Sequence, residues 1–171
     1  MKEFDISQLA FSPFQKIGTQ WMLVTAGDQN GYNTMTASWG GVGVLWGKNV
    51  AFVFIRPERY TKAFVEQNDY FTLSFYPENW KDALRFCGSH SGKEFDKAKE
   101  TGLTPVFLDG TTTFEQAELT LVCRKMYQQD LLESCALDDS IQKWYQKEGY
   151  HTMYVCLLYT SQRYIPAHLL M

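Results

Sequence analysis

A chain of 171 residues with 45% apolar and 20% charged residues has the size and apolar content of one globular domain. This composition excludes a disordered chain, a collagen-like chain and a small disulfide scaffold. The net charge of −3 lacks the basic excess that nucleic-acid binding usually needs, so we expect no nucleic-acid partner.

The first half of the sequence predicts mostly strands. Residues 50–55 form a continuous apolar run, which is typical of a central strand buried on both faces. Residues 71–75 alternate between apolar and polar, which predicts a half-buried strand. The other predicted elements are a short helix near 13–17 ended by Gly18, a strand at 21–25, a turn at 27–31 and a returning strand at 33–39.

Between residues 40 and 68 the sequence predicts a glycine-rich segment and then a helix. A glycine-rich stretch at 40–43 predicts a loosened backbone. Thr61 is the expected N-cap of a helix that runs to about Asn68. The apolar side of this helix is expected to consist of Ala63, Phe64 and Val65.

The second half adds three short helices to the strands. Helices are expected at 78–87, ended by Gly88, at 95–100, with Gly102 beyond its end, and at 138–146, with Ile141, Trp144 and Tyr145. Strands are expected at 119–123, with an extension as far as 131, and at 153–159, with a turn at Asp109 and Gly110. Strands with helices inserted between them predict a closed antiparallel barrel rather than an alternating parallel sheet.

Cysteine and histidine spacing gives no sign of a metal centre. The four cysteines form no C-x-x-C pair, and His90, His151 and His168 show no H-x-x-x-H spacing. Buried free thiols and a start without the apolar core of a secretory signal predict a cytoplasmic protein. No apolar stretch approaches a membrane span, so we expect no membrane partner.

The segment 33–39 places small hydroxyl residues beside Trp39 and ahead of two glycines. Small side chains let a ligand approach the backbone, whose N–H groups can donate to it. An ordinary hairpin strand explains the threonines equally well, so both interpretations stand.

The segment 55–61 follows the apolar run directly. Arg56 and Arg59 precede an expected helix N-terminus that includes Thr61, and this combination suits a phosphate. The alternative is that the arginines lie on the surface and pair with Glu58 and other nearby acids.

A third segment, 89–97, offers hydroxyls, Gly92 and Lys93 before a short helix. It predicts either a second anion-binding loop or an ordinary capped turn.

Together these segments resemble the flavin reductase-like family of FMN-binding split barrels, over about residues 14–160. The resemblance rests on N-x-M-T-A-S-W at 33–39 and R-P-x-R-Y-T at 56–61, in the right order and separation. It is supported by S-x-S-G-K-x-x-D-K at 89–97 and by Gly149-Tyr150-His151. It implies one mainly β domain over 1–171, an antiparallel split β-barrel with inserted short helices, which binds FMN as a homodimer.

The resemblance also implies a role for each matching residue. The isoalloxazine would be lined by Met35, Thr36, Ala37 and Ser38, with Trp39 packed nearby. Asn33, at the start of the same motif, would also bind the cofactor. The ribityl phosphate would be held by Arg56, Arg59, Tyr60 and Thr61. The ribityl or phosphate end would also contact Ser89, Ser91, Gly92 and Lys93. His151 would lie near the face where a nicotinamide or an acceptor docks, and no catalytic residue is assigned.

The implied activity is an FMN-dependent oxidoreductase that accepts hydride from NAD(P)H and reduces free flavin, a ferric chelate or a protein acceptor. The alternatives are an FMN-binding electron carrier similar to flavoredoxin and a non-enzymatic module that binds flavin or haem. The chain departs from the family in having Lys93 where an arginine is common, and Trp46-Gly47-Lys48 where prolines are common.

Overall fold

The computed structural model describes residues 2–6, 10, 12–108 and 110–163, and within them the chain forms ten strands and three α-helices. The strands are β1 (Lys2–Phe4), β2 (Met22–Asp28), β3 (Gly31–Ala37), β4 (Gly40–Leu45), β5 (Lys48–Ile55), β6 (Tyr70–Phe75), β7 (Pro105–Leu108), β8 (Thr111–Phe114), β9 (Leu119–Asp130) and β10 (Thr152–Arg163). The α-helices are α1 (Tyr60–Gln67), α2 (Lys81–Ser89) and α3 (Lys97–Thr101). Phe14–Gln20 is π-helical, and short 3₁₀ turns lie at Glu78–Trp80, Glu133–Cys135 and Asp139–Trp144.

One antiparallel sheet carries the architecture. Its strand order is β3-β2-β6-β9-β10-β5-β4, and β1 pairs with β10 beside it. The sheet ends with β3 on one edge and β4 on the other, although only Ser38 and Trp39 separate the two strands in sequence. The chain therefore crosses the split of the barrel at these two residues. The predicted fold class, an antiparallel split barrel with inserted short helices, is confirmed.

The sheet separates two apolar clusters. The larger cluster lies inside the barrel and includes Phe71, Leu73 and Tyr154, all of them buried. The smaller cluster, with Leu84 and Phe114, lies under α2 and α3 on the other side of β2. Burial of both clusters removes apolar surface from water and supplies most of the stabilisation.

The expected half-buried strand at 71–75 is wrong, because β6 is covered on both faces. The β7–β8 hairpin packs over its polar side. There the Thr72 hydroxyl donates to the Thr112 carbonyl at 2.7 Å, and Ser74 and Thr113 share a hydrogen bond of 2.8 Å. Burial of the Thr72, Ser74 and Thr113 hydroxyls costs little because each of the three has a hydrogen-bond partner.

Two expectations around β5 are also wrong. The stretch 40–43 is not loosened but forms β4, whose ladder with β5 holds the glycines extended. β5 is not buried on both faces, since Phe52 and Phe54 remain partly exposed. Trp46 and Gly47 form the turn between the two strands with φ of 53° and 66°, the positive values that a two-residue hairpin turn favours.

Helix ends differ from the expected ones. The first helical segment runs to Gln20, past Gly18, and α2 runs through Gly88 to Ser89. Thr61 is not the N-cap, because α1 begins at Tyr60 with Arg59 in the capping position. Ala63 is exposed and does not belong to the apolar side. Gly102 does end its helix, α3, with a φ of 73°.

The remaining expectations divide into confirmed strands, missed strands and residues outside the description. Strands at 119–131 and 153–159 are confirmed as β9 and β10, whereas β1, β7 and β8 were not expected. The expected helix at 138–146 is a shorter 3₁₀ segment. Asp109 of the expected turn and His168 lie outside the described residues. Within the described residues no helix has the length and apolar character that crossing a membrane requires.

The β2–β3 hairpin provides a matched pair of glycines for a stability test. Gly27 has a φ of 100°, and a Cβ there would lie 2.2 Å from the Gly31 carbonyl oxygen. We expect Gly27→Ala to lower the free energy of unfolding by about 1–3 kcal/mol through backbone strain and this clash. Gly31→Ala meets no atom within 4 Å and should shift it by only about 0.5 kcal/mol. Urea denaturation measures both, and equal losses would contradict the assignment.

Candidate functional site

A cavity of about 240 Å³ lies beside the split of the barrel, where β3, the Ser38–Trp39 crossing and the end of β5 line it. Of the described residues that line it, two are arginines and none is acidic. The lining residues are Met35, Thr36, Ala37, Ser38, Trp39, Phe54, Arg56, Arg59, Trp144 and His151. The structure therefore brings together eight of the residues that the sequence singled out, from three separate segments.

The wall formed by β3 presents backbone as well as side chains. β3 is an edge strand, and the Thr34 carbonyl points away from β2, where it accepts a hydrogen bond from the Lys97 amine at 2.8 Å. Because backbone direction repeats every second residue in an antiparallel ladder, Thr36 presents its N–H and carbonyl to the same open side. A flat ligand with polar edges could pair with this backbone.

Arg56 reaches the segment before β10. Its Nη2 donates to the Trp144 carbonyl at 2.9 Å, and its Nη1 lies 2.8 Å from a carboxylate oxygen of Glu148. The guanidinium also lies 5.4 Å from the centre of the Tyr145 ring. Pairing with a nearby acid was the alternative interpretation of this arginine, and the acid is Glu148 rather than Glu58.

Arg59 projects towards the end of α2. Its Nη1 donates to the Gly88 carbonyl at 2.8 Å, one of the last carbonyls of that helix. Tyr60 lies beside it, with its ring in contact with Phe64 and with the Lys93 amine 5.4 Å from the ring centre. Groups from the start of α1, the end of α2 and the loop after α2 thus lie close to one another around Arg59 and Tyr60.

Asn33 and Thr61 lie behind the cavity wall, not on it. Both are buried, and the Asn33 amide donates to the Thr61 hydroxyl at 2.8 Å. Gly92 packs so closely on Asn33 that a Cβ would lie 1.9 Å from its amide oxygen. These contacts fix β3, α1 and the loop at 89–97 relative to one another.

The loop at 89–97 makes mostly local contacts. The Ser89 hydroxyl donates to the Arg85 carbonyl at 2.9 Å, and the Ser91 hydroxyl accepts from the Lys93 N–H at 3.2 Å. Neither serine lines the cavity. This geometry matches the capped turn, which was the second interpretation of the segment.

A second cavity, of about 420 Å³, lies between this loop and the start of β3, and Asn33, Gly92 and Lys93 line it. The Lys97 amine on its wall donates to the Thr34 and Cys87 carbonyls, both at 2.8 Å. Burial lowers the pKa of Lys97 to about 8. Two acids, Glu94 and Asp96, also line this cavity, so it has no single charge preference.

His151 lines the first cavity beside Trp39. It is buried, its ring lies 4.9 Å from Trp39, and its Nδ1 shares a 3.0 Å hydrogen bond with the Tyr145 hydroxyl. Burial, reinforced by the cation of Arg56, lowers the pKa of His151 to about 4. The imidazole is therefore neutral at pH 7 and can exchange hydrogen bonds without adding charge to the site.

The sequence singled out neither Phe54 nor Trp144 as a site residue. Phe54 belongs to the apolar run at 50–55, which predicts burial. Only the structure shows that one face of β5 stays partly exposed and that Phe54 lies on it. Trp144 was expected on a helix, but its edge lies against Trp39 with ring centres 5.2 Å apart. No local pattern indicates a contact between residues so far apart in sequence.

Comparisons with a family model and with solved structures place this architecture among known proteins. Residues 14–156 match the family model described as flavin reductase like domain. The comparison with curated proteins found no match.

Solved structures with the same fold are distant in sequence. Flavoredoxin from Methanosarcina acetivorans has a TM-score of 0.68 and 16% identity, over 85% of this chain and 68% of that chain. The FMN-binding protein from Thermus thermophilus with bound 1-cyclohex-2-enone has a TM-score of 0.67 and 21% identity, over 95% and 80%. An NADH:FAD oxidoreductase from Streptomyces globisporus in complex with NAD and FAD fragments has a TM-score of 0.62 and 18% identity, over 85% and 75%. At these identities the likeness supports the fold.

The low pKa of His151 predicts an acid-sensitive fold. The folded protein binds this proton at a pKa of about 4, against 6.5 for the free side chain. Between these values the unfolded chain binds more protons, so stability falls as the pH drops from 6.5 towards 4.

We expect His151→Gln to remove this part of the pH dependence, which amounts to at most about 3 kcal/mol. Urea denaturation from pH 4 to pH 8 measures both proteins. Parallel stability profiles would show that His151 does not titrate between these values.

Proposed function

The chain belongs to the flavin reductase like domain family, and from that premise we propose that it is an FMN-dependent oxidoreductase. In this proposal it accepts hydride from NADH or NADPH and passes electrons to free flavin, a ferric chelate or a protein acceptor. The observation that carries the proposal is the cavity at the split, with two arginines, an exposed strand edge and a tryptophan around one space.

The residues around the cavity fit FMN in chemistry. FMN combines a flat ring that has polar edges with a dianionic phosphate. The strand edge at Thr36 supplies backbone groups for the ring edge, and Trp39 supplies an apolar surface beside it. Arg59 supplies a planar guanidinium, which matches phosphate better than a lysine does.

The protein's part is positioning, charge and exclusion of water. FMN, when bound, supplies the hydride and electron chemistry. Arg59, tied to the Gly88 carbonyl, would hold the anionic end, while Asn33 and Thr61 keep the supporting elements in place. His151, neutral at pH 7, would leave the charge of the site unchanged as a nicotinamide or an acceptor docks.

The second candidate function is an electron carrier, and the likeness to the flavoredoxin from Methanosarcina acetivorans favours it. Such a carrier binds FMN at the same site but is reduced by another protein rather than by NAD(P)H. The two functions share every contact described for the cofactor. They differ only in whether the cavity admits a nicotinamide.

Steady-state oxidation of NADH and of NADPH by the FMN-loaded protein, with free flavin as acceptor, separates the two. We expect oxidation of at least one nicotinamide with kcat in the usual enzyme range of about 1–1,000 per second. A protein that binds FMN but oxidises neither nicotinamide is the carrier. If the protein shows no flavin absorption bands after incubation with FMN and removal of unbound FMN, both candidate functions are wrong.

Arg59 should act on the phosphate end of the cofactor. We expect Arg59→Ala to weaken FMN binding by about 1.5–3 kcal/mol, the range for hydrogen bonds to a charged group. That is roughly 10- to 150-fold in Kd. Riboflavin, which lacks the phosphate, should bind the variant and the unmodified protein equally well.

The matched control is Arg85→Ala. Arg85 lies on α2 away from the cavity and pairs with Asp82. Equilibrium dialysis with FMN and riboflavin measures all three proteins. Equal losses for both ligands would remove Arg59 from the phosphate role.

We further propose that the chain, as a single domain, works in the cytoplasm as a homodimer. An apolar surface supports the dimer: Val44 and Trp46 are 72% and 55% exposed, and Trp46 packs against Tyr127. Aromatic side chains of this kind are enriched in subunit interfaces. Sedimentation equilibrium giving the mass of one chain would contradict this part of the proposal.

A further inference from the structure

The segment 139–150, named here the lid segment, borders the cavity through Trp144. It starts as the 3₁₀ turn Asp139–Trp144, in which no residue is buried. Arg56 holds it at three points: the Trp144 carbonyl, the Glu148 carboxylate and the ring of Tyr145. The lid segment is therefore attached to the turn after β5 by polar contacts rather than by an apolar core.

Glu58, two residues after Arg56, forms a second contact with the lid segment. The Gly149 N–H donates to the Glu58 carboxylate at 2.8 Å. This hydrogen bond, together with neighbouring charges and despite some desolvation, lowers the pKa of Glu58. Arg56 thus holds the lid segment at Trp144 and Glu148, and Glu58 holds it at Gly149. Neither contact involves a residue of the barrel interior.

Trp144 is the part of the lid segment that reaches the cavity. Its ring meets Trp39 edge to face with ring centres 5.2 Å apart, and its side chain is 52% exposed on the other side. A ring with one face in water can turn outwards without opening a void in the core. The neighbouring Tyr145 stays fixed by its hydrogen bond to His151.

The volume of the cavity indicates how the Trp144 ring limits the space for a second substrate. About 240 Å³ lies below the roughly 300–1,000 Å³ that small-molecule sites usually occupy. With Trp144 against Trp39 the space suits one planar ring system but not a second one stacked on it. A large second substrate therefore requires Trp144 to move, whereas a small one does not.

We propose that Trp144 is the residue that selects the second substrate by size, with Arg56 as the residue that positions it. This inference rests on the proposed function, since it concerns what reaches the bound flavin. Substrates with a planar ring system should be restricted by Trp144, and small inorganic oxidants should not. The proposal gives the lid segment, which no family motif covers before Gly149, a role in substrate choice.

The contact can be tested in the protein without any cofactor. Two indoles in edge-to-face contact couple their transitions and give a paired positive and negative band in far-ultraviolet circular dichroism. We expect this band pair to disappear in Trp144→Ala and to remain in Trp80→Phe. Trp80 is the matched control because it packs against the smaller apolar cluster and does not line the cavity. An unchanged band pair in Trp144→Ala would overturn the contact between Trp144 and Trp39.

The selection itself is tested with the FMN-loaded protein, reduced anaerobically by dithionite so that no nicotinamide has to dock. The two electrons then leave either to two ferricyanide ions, one each, or to one free FAD together with two protons. We expect Trp144→Ala to raise the FAD rate relative to the ferricyanide rate by about tenfold or more, the usual range for steric discrimination in a pocket. Trp144→Phe, which keeps a smaller ring, should give an intermediate ratio, and Trp80→Phe should leave the ratio unchanged.

The outcomes separate the two proposals. If the unmodified protein takes up FMN and the ratio stays the same in Trp144→Ala and Trp144→Phe, the selection by Trp144 is wrong and the proposed function stands. If the unmodified protein takes up no FMN, the proposed function is wrong and the selection is overturned with it. The circular dichroism result still decides whether the lid segment contacts Trp39.

Discussion

The open edge of β3 is the constraint on which the rest of the molecule depends. The barrel does not close between β3 and β4, so the outward backbone groups of β3 lack a strand partner among the described residues. Buried backbone groups without partners are costly, and an open edge invites pairing with other chains. Contacts with other elements cover part of this edge: the Lys97 amine donates to the Thr34 carbonyl, and the Thr36 hydroxyl of β3 donates to the Leu84 carbonyl of α2.

Covering the edge with Lys97 has an electrostatic cost. Burial disfavours the ammonium and lowers its pKa to about 8. The cost is offset because the same ammonium meets the Cys87 carbonyl near the end of α2, where the helix dipole favours a positive charge. One lysine thus joins the strand edge to the helix end. The cavity lies farther along the same edge, at Met35 to Ala37.

The sequence predicts the parts of this arrangement that depend on local patterns. The alternation and apolar runs that gave most of the strands are local, as are the motifs at 33–39 and 56–61. Helix ends were predicted less well because a glycine marks an end only if it adopts a left-handed conformation, as Gly102 does and Gly88 does not. The lid segment was unpredictable for a different reason. Its contacts join Arg56 to Glu148 and Trp39 to Trp144, pairs that only the complete strand order brings together.

The two arginines of the segment 56–61 look equivalent in sequence, but the structure gives them different partners. Arg56 is paired with a carboxylate and a carbonyl of the lid segment, so binding an anion there would compete with contacts that already exist. Among the described residues the Arg59 guanidinium makes one hydrogen bond, to the Gly88 carbonyl, whereas a guanidinium has five N–H donors. Arg59 therefore keeps the larger capacity for a phosphate. Under the proposed function the same short segment would serve both ends of the cofactor site: Arg56 would set access to the ring end and Arg59 would hold the charged end.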